Sequence, residues 1–172
     1  MPQVFLGIGS NIERERHVTI ALDALRDLFG APALSSVYET PALGFRGDPF
    51  LNLVARVHCE LGVGALASRL RALEYAHGRP VDAAPNGPRQ LDIDILTYGD
   101  HVGTIDGVTL PRPEILTSAF VLGPLAELAP EERHPRERAP YRELWQRFDR
   151  AAQPIAAVPF RWRGRNLSAL AD

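Results

Sequence analysis

Residues 91–95, Leu-Asp-Ile-Asp-Ile, alternate apolar and acidic side chains with a period of two. That period belongs to an extended strand, in which successive side chains fall on opposite faces. Leu91, Ile93 and Ile95 then fill a core, and Asp92 and Asp94 share the other face with their α-carbons roughly 6–7 Å apart. Aspartate is a poor strand former, so something other than sheet propensity holds the pair in place directly behind a Gly-Pro-Arg turn.

The rest of the chain supplies partners for such a strand. "VFLGIG" (4–9) reads as a buried strand, and "SN" after it offers a cap for a helix over 13–29, where Val18, Leu22, Leu25 and Leu28 or Phe29 recur at helical spacing. Strands over 35–43 and 50–61 follow, separated by the loop "GFRGDP", and the second alternates Leu53, Ala55 and Val57 on one face. A helix over 63–78 carries Leu66, Leu70 and Leu73 and stops at Gly78, and residues 89–99 form the next strand. The order β-α-β-β-α-β is the ferredoxin-like split βαβ pattern, an α+β fold with an antiparallel sheet and both helices on one face. Beyond it come a short strand running into a proline-stiffened loop (106–115), a buried helical piece (118–130), a charged surface loop (130–140) and a helix (141–151) as extra C-terminal elements. The tail 153–172 carries no readable pattern.

With 172 residues and 45% hydrophobic content, the chain suits one domain over 1–172. The net charge of -2 lacks the basic excess of a nucleic-acid or membrane-surface protein, which points to small ligands. One cysteine, Cys59, cannot form an internal disulfide, and no basic-then-apolar leader opens the chain, so a reducing cytoplasm is the expected compartment; a monomer is the expected state, though no feature of the sequence dictates it. Every one of the 19 basic residues is arginine. A phosphate bound here must therefore be held by guanidinium forks, backbone N–H groups or metal ions rather than by lysine.

Two carboxylates on one strand face can grip hard cations, and magnesium is usually held by one or two carboxylates plus substrate phosphates. The alternative is a solvated acidic edge. Arg79, Arg89 and Arg112 border the pair in sequence, and cations around paired acids suggest a phosphate–metal site. "GIGSN" (7–11) lacks the third glycine of a dinucleotide fingerprint, which leaves a tight strand-to-helix turn whose small residues let another segment approach. Asn52 could read the donor and acceptor edge of a heterocycle or serve as a turn residue. By periodicity Phe120 reads as core, and Glu74 as a solvated acid on a helix face. The five histidines show no zinc spacing, and no serine or cysteine nucleophile motif is present.

Taken together, "LGIGSN", "SSVYETPALG", "FLN", "LEYAHGR", "GPRQLDIDIL", "YGD", "TLPRP" and "AFVLGPLAELAP", in this order from about residue 4 to 130, resemble the 6-hydroxymethyl-7,8-dihydropterin pyrophosphokinases of folate biosynthesis. The resemblance implies transfer of the β,γ-pyrophosphoryl group of ATP to a pterin hydroxymethyl oxygen, with AMP released. It implies two magnesium ions on Asp92 and Asp94. A pterin pocket follows from Thr40, Pro41, Ala42, Leu43, Phe50, Asn52 and Phe120. The nucleotide side is Arg71, Glu74, Arg79, Arg89, Ile95, Thr109 and Arg112, with Arg79, Arg89 and Arg112 joining the aspartates as catalytic residues. ATP and a dihydropterin alcohol are the implied partners, with neither nucleic acid nor membrane. The chain departs from the family pattern at Val81 and Pro85, where arginines are usual, and at Asn86, where a tryptophan is common. It departs again at Gly107, where a basic residue can stand, at Arg112 in place of a histidine, and at Ser118, where an arginine is frequent. A paralogue acting on another pterin alcohol, or a non-catalytic pterin- or nucleotide-binding module, would share the same motifs.

Overall fold

The computed structural model describes residues 1–42, 46–78 and 89–169. Its main sheet is built from β1 (Gln3–Ser10), β2 (Ala33–Leu34), β3 (Tyr38–Thr40), β4 (Phe50–His58), β5 (Asp92–Tyr98) and β8 (Ala156–Ala157), with the path β5-β1-β4-β3-β8 and β2 alongside β4. Every pairing is antiparallel. With α1 (Arg14–Phe29) after β1 and α2 (Val63–Ala76) after β4, this is the expected split βαβ arrangement.

Strand alternation sends side chains to two separate cores. Leu6, Ile8, Leu53, Ala55, Ile93 and Ile95 meet Val18, Leu22 and Leu25 of α1 and Leu66 and Leu70 of α2. On the other face Phe5, Val54 and Leu96 meet α3 (Glu114–Thr117), α4 (Ala119–Leu128) and α5 (Tyr141–Arg147) through Ile115, Leu122, Leu125 and Tyr141. The sheet is thus covered on both faces, and the second cover leaves the row of Asp92 and Asp94 outside its apolar contacts. Burying a side chain such as Leu6 or Leu122, both nearly inaccessible, stabilises the fold by about 1.5–3 kcal/mol each.

Several sequence expectations are corrected. The strand expected over 35–43 contracts to β3. Ser35 lies outside the ladder and its hydroxyl accepts the Val54 N–H at 2.9 Å, while Pro41 ends the strand because it has no N–H to give. "SN" does not cap α1: Glu13 is the boundary residue, and no side chain caps the helix. A hairpin was missed ahead of the proline loop. Strands β6 (Gly103–Ile105) and β7 (Val108–Leu110) pair across Asp106-Gly107, whose positive φ values of 51° and 79° suit the tight Asp-Gly turn. The tail is structured as β8 and the hairpin of β9 (Arg161–Trp162) and β10 (Arg165–Asn166), and it adds Phe160 and Trp162 to the first core. No described helix is long and apolar enough to cross a membrane.

Candidate active site

Cross-strand register assembles the site. Gly9 on β1 is paired with Asp92 on one side and with Asn52 on the other, and Asn52 is paired in turn with Tyr38. Directly opposed residues share a sheet face, so carboxylate, glycine, amide and phenol form one row across four strands. Gly7 occupies the same place between Asp94 and Val54 one step along.

Glycine at position 9 is a matter of space. A Cβ built there would lie 2.7 Å from Asn52 Oδ1 and 3.7 Å from the Phe50 ring. Both side chains therefore fold over β1 towards the Asp92 side. The Asn52 amide donates to Thr40 Oγ1 at 2.7 Å, and both residues are buried. Thr40, Phe50 and Asn52 thus come together as expected. Phe120 opens α4 on the same face, half-buried against the second core. Pro41 is exposed and Ala42 half-buried at the start of the following loop. Leu43 lies outside the described residues.

The second half of the site wraps the outer edge of β5. A cleft of about 310 Å³ has Arg71 and Glu74 from α2 on one wall, Asp94 and Ile95 beneath, and Thr109 and Arg112 opposite. Five of the expected nucleotide-side residues therefore share one cavity with a member of the aspartate pair. Arg89 stands apart from that lining and is buried, while Arg79 and the divergent positions Val81, Pro85 and Asn86 lie outside the described residues.

Glu74 corrects the reading of a solvated helix acid. Only 1% of the residue is exposed. Because β5 is an edge strand, its outward Ile93 N–H has no strand to bond, and Glu74 Oε2 accepts it at 3.1 Å while Arg71 pairs with Oε1 at 2.8 Å. A bulge positions Arg112. Phe5 faces Thr97 but Leu6 faces Ile95, so Leu96 is the extra residue, and its carbonyl accepts the Arg112 N–H at 2.8 Å. The guanidinium then stands 3.7 Å from Asp94 and 3.0 Å from Glu114.

Electrostatics set the cluster apart. Burial, and next the negative charge of Asp92, push the carboxyls of Glu74 and Asp94 above the ordinary carboxylate range, and Arg112 draws Asp94 only partly back. Among the described residues no group of three or more His, Cys, Asp or Glu could hold a metal by itself. Two strand carboxylates with further acidic charge nearby suit instead a hydrated hard cation whose remaining ligands come from a phosphate.

Asn11 is the residue that sequence reasoning misplaced. Its amide donates to the Asp48 carbonyl at 3.0 Å, its Oδ1 accepts the Arg89 N–H at 2.8 Å, and its own N–H donates to the Arg89 carbonyl at 3.0 Å. It ties the segment ahead of Phe50 to the one that enters β5. A short polar residue at the end of a buried strand was the only local signal, and it fits a cap equally well.

Residues 5–130 match the family model described as 7,8-dihydro-6-hydroxymethylpterin-pyrophosphokinase. Among characterised proteins, the chain is 34% identical over 146 residues to a 2-amino-4-hydroxy-6-hydroxymethyldihydropteridine pyrophosphokinase of Aquifex aeolicus, covering 84% of this chain and 91% of that protein. It is 36% identical over 140 residues to the protein of the same name from Pseudomonas aeruginosa, covering 79% and 86%. The crystal structure of wild-type Plasmodium falciparum HPPK-DHPS superimposes with a TM-score of 0.70 at 12% identity, over 96% of this chain but only 49% of that one, a likeness of fold.

Proposed function

The chain belongs to the 7,8-dihydro-6-hydroxymethylpterin-pyrophosphokinase family and transfers pyrophosphate from ATP to a dihydropterin, and from this premise we propose how its residues divide the work. ATP occupies the cleft between α2 and β7. The pterin, 6-hydroxymethyl-7,8-dihydropterin, lies against Thr40, Pro41, Ala42, Leu43, Phe50, Asn52 and Phe120. Asp92 and Asp94 stand where the two meet and hold two magnesium ions. The observation that carries this reading is the row Asp92–Gly9–Asn52, which sets a heterocycle-reading amide across one glycine from the acid pair.

In the reaction the hydroxymethyl oxygen bonds to the β-phosphorus of ATP and releases its proton to solvent, the bond from that phosphorus to the α,β-bridging oxygen breaks, and AMP leaves with the electron pair. Asn52 commits one amide N–H to Thr40, leaving a second N–H and Oδ1 for the pterin edge, so the ring is read in one orientation. The Phe50 ring flanks the same place. Arg112, kept near Asp94 by its backbone bond to the bulge, offers a permanently charged fork to the phosphates, and Arg79 and Arg89 add to it. Magnesium, when bound, neutralises phosphate charge and acidifies the attacking hydroxyl. Asp92 and Asp94 hold that charge where the reacting oxygen arrives, and alignment of two bound substrates lowers the barrier further.

Incubation with ATP, magnesium and 6-hydroxymethyl-7,8-dihydropterin tests the reading. AMP in step with the pterin pyrophosphate is expected. ADP as the stoichiometric product would contradict attack at the β-phosphorus, and a marked preference for another pterin alcohol would move the chain to a paralogous role.

A further inference from the structure

The hairpin β6–β7 forms its own two-stranded sheet, unpaired with the main one, yet Gly107, Val108 and Thr109 build one wall of the nucleotide cleft. Its root is fixed, since Leu110 is fully buried in the first core. The tip is fixed by a different device. Asp106 Oδ2 accepts the Gly64 N–H at 3.1 Å, in the first turn of α2. That helix starts at Gly62 with no side-chain cap and no acid in its first turn, so the hairpin supplies the carboxylate its N-terminus lacks. The approach is close: a Cβ on Gly64 would fall 2.9 Å from the Cβ of Asp106. Ala67, Leu70, Arg71 and Glu74 of the same helix form the opposite wall.

We propose that Asp106, through its bond to Gly64, is a positioning residue that sets the spacing between the β6–β7 hairpin and α2 and thereby the affinity of the cleft for the nucleotide. Asp106 does not line the cleft. It acts at the rim, where one joint determines how far apart the two walls stand, and three cavity residues follow it directly in sequence. The inference rests on ATP occupying this cleft.

The test uses the full chain with magnesium and α,β-methylene-ATP, whose dissociation constant is read by calorimetry, alongside the pterin KM at saturating ATP and the thermal midpoint. Asp106→Gly keeps the positive φ at no steric cost and removes only the carboxylate. It should weaken the analogue roughly tenfold, the effect of losing a helix cap. Asp106→Asn keeps a side-chain oxygen and tolerates the same φ, so it should stay within about threefold. Gly64→Ala introduces a better helix former but pushes the tip away, and should weaken the analogue about as much as Asp106→Gly with the thermal midpoint held or raised. The pterin KM should remain within about twofold in all three variants. If Asp106→Gly does not fold, Gly64→Ala carries the test alone. Wild-type affinity in both Asp106→Gly and Gly64→Ala would overturn the proposal, as would a loss of nucleotide affinity matched by an equal rise in pterin KM and a fall in thermal midpoint. A wild-type protein that does not bind the analogue would instead remove the ATP reading on which the proposal stands.

Discussion

Gly9→Ala probes the pterin side of the site without replacing any residue assigned to contact substrate. The new Cβ would stand 2.7 Å from Asn52 Oδ1, and ordinary contact begins at 3.4 Å, so the amide must retreat by about 0.7 Å (3.4 minus 2.7). The Phe50 ring, 3.7 Å from the same point, limits retreat on that side. A shift of this size strains the buried 2.7 Å bond from Asn52 to Thr40, and one such bond contributes about 1 kcal/mol. The amide edge offered to the pterin moves with it. We expect kcat/KM for the pterin to fall roughly tenfold, about 1.4 kcal/mol, with ATP affinity within about twofold of wild type. Alanine is the better residue in a strand by about 0.5–1 kcal/mol, so the net loss of stability should stay near or below about 1 kcal/mol. Gly7→Ala is the control on the same strand face, since its Cβ meets the Leu96 side chain at 3.4 Å, an ordinary contact, and should perturb the pterin step less. Steady-state kinetics with each substrate varied in turn, together with thermal melts, make the comparison. A folded Gly9→Ala protein with unchanged pterin kcat/KM, or one that loses ATP and pterin use equally, would refute the reasoning.

Three further outcomes are expected. Asp92→Ala and Asp94→Ala should each lower turnover on the order of 10²-fold or more at saturating magnesium, about 3 kcal/mol, while leaving the metal-free thermal midpoint unchanged or higher because one close acid is removed; near-normal turnover in both would exclude them as metal ligands. Arg112→Ala should raise the ATP KM more than the pterin KM, as read by varying each substrate with the other saturating, because the guanidinium sits beside Asp94 in the nucleotide cleft. His134 is buried, accepts the N–H groups of Arg136 and Glu137 on Nδ1, and is held by burial below the ordinary imidazole value of 6.5. The unfolded chain therefore takes up the proton first, so stability should fall as pH drops below about 6.5, and chemical denaturation of His134→Asn across pH 7 to 5 should lose part of that slope.

The strand of Asp92 and Asp94 was legible because its period is short and its register local. Alternation over five residues put Ile93 and Ile95 in the core and the carboxylates opposite, where the structure has them. Helices α1 and α2 were legible for the same reason at a longer period. What failed is what depends on distant partners. Three-residue strands such as β6 and β7 are too short for a periodic signal, although Asp106-Gly107 carried the chemistry of a tight hairpin turn. Glu74 reads as a surface acid until α2 is laid along an unpaired strand edge that needs an acceptor. The Ser10-Asn11 pair looks like a cap until Asp48 and Arg89 arrive from other parts of the chain. The nucleotide cleft gathers residues 71, 74, 94, 95, 109 and 112, a set that no spacing rule joins, and its residues were named through family resemblance rather than physics.

The family match stops at residue 130, but the folded object does not. Trp162 donates its indole N–H to Asp23 on α1 at 2.9 Å, Ser168 takes the Val37 N–H, and β8 closes the edge of the strand that leads into Thr40 and Pro41. A boundary drawn by homology would therefore cut through a core and leave β3 as a raw edge beside the substrate wall. These last residues serve packing rather than chemistry, so a replacement that fills the same volume and bonds the same strand should leave turnover intact, whereas removing the segment should not.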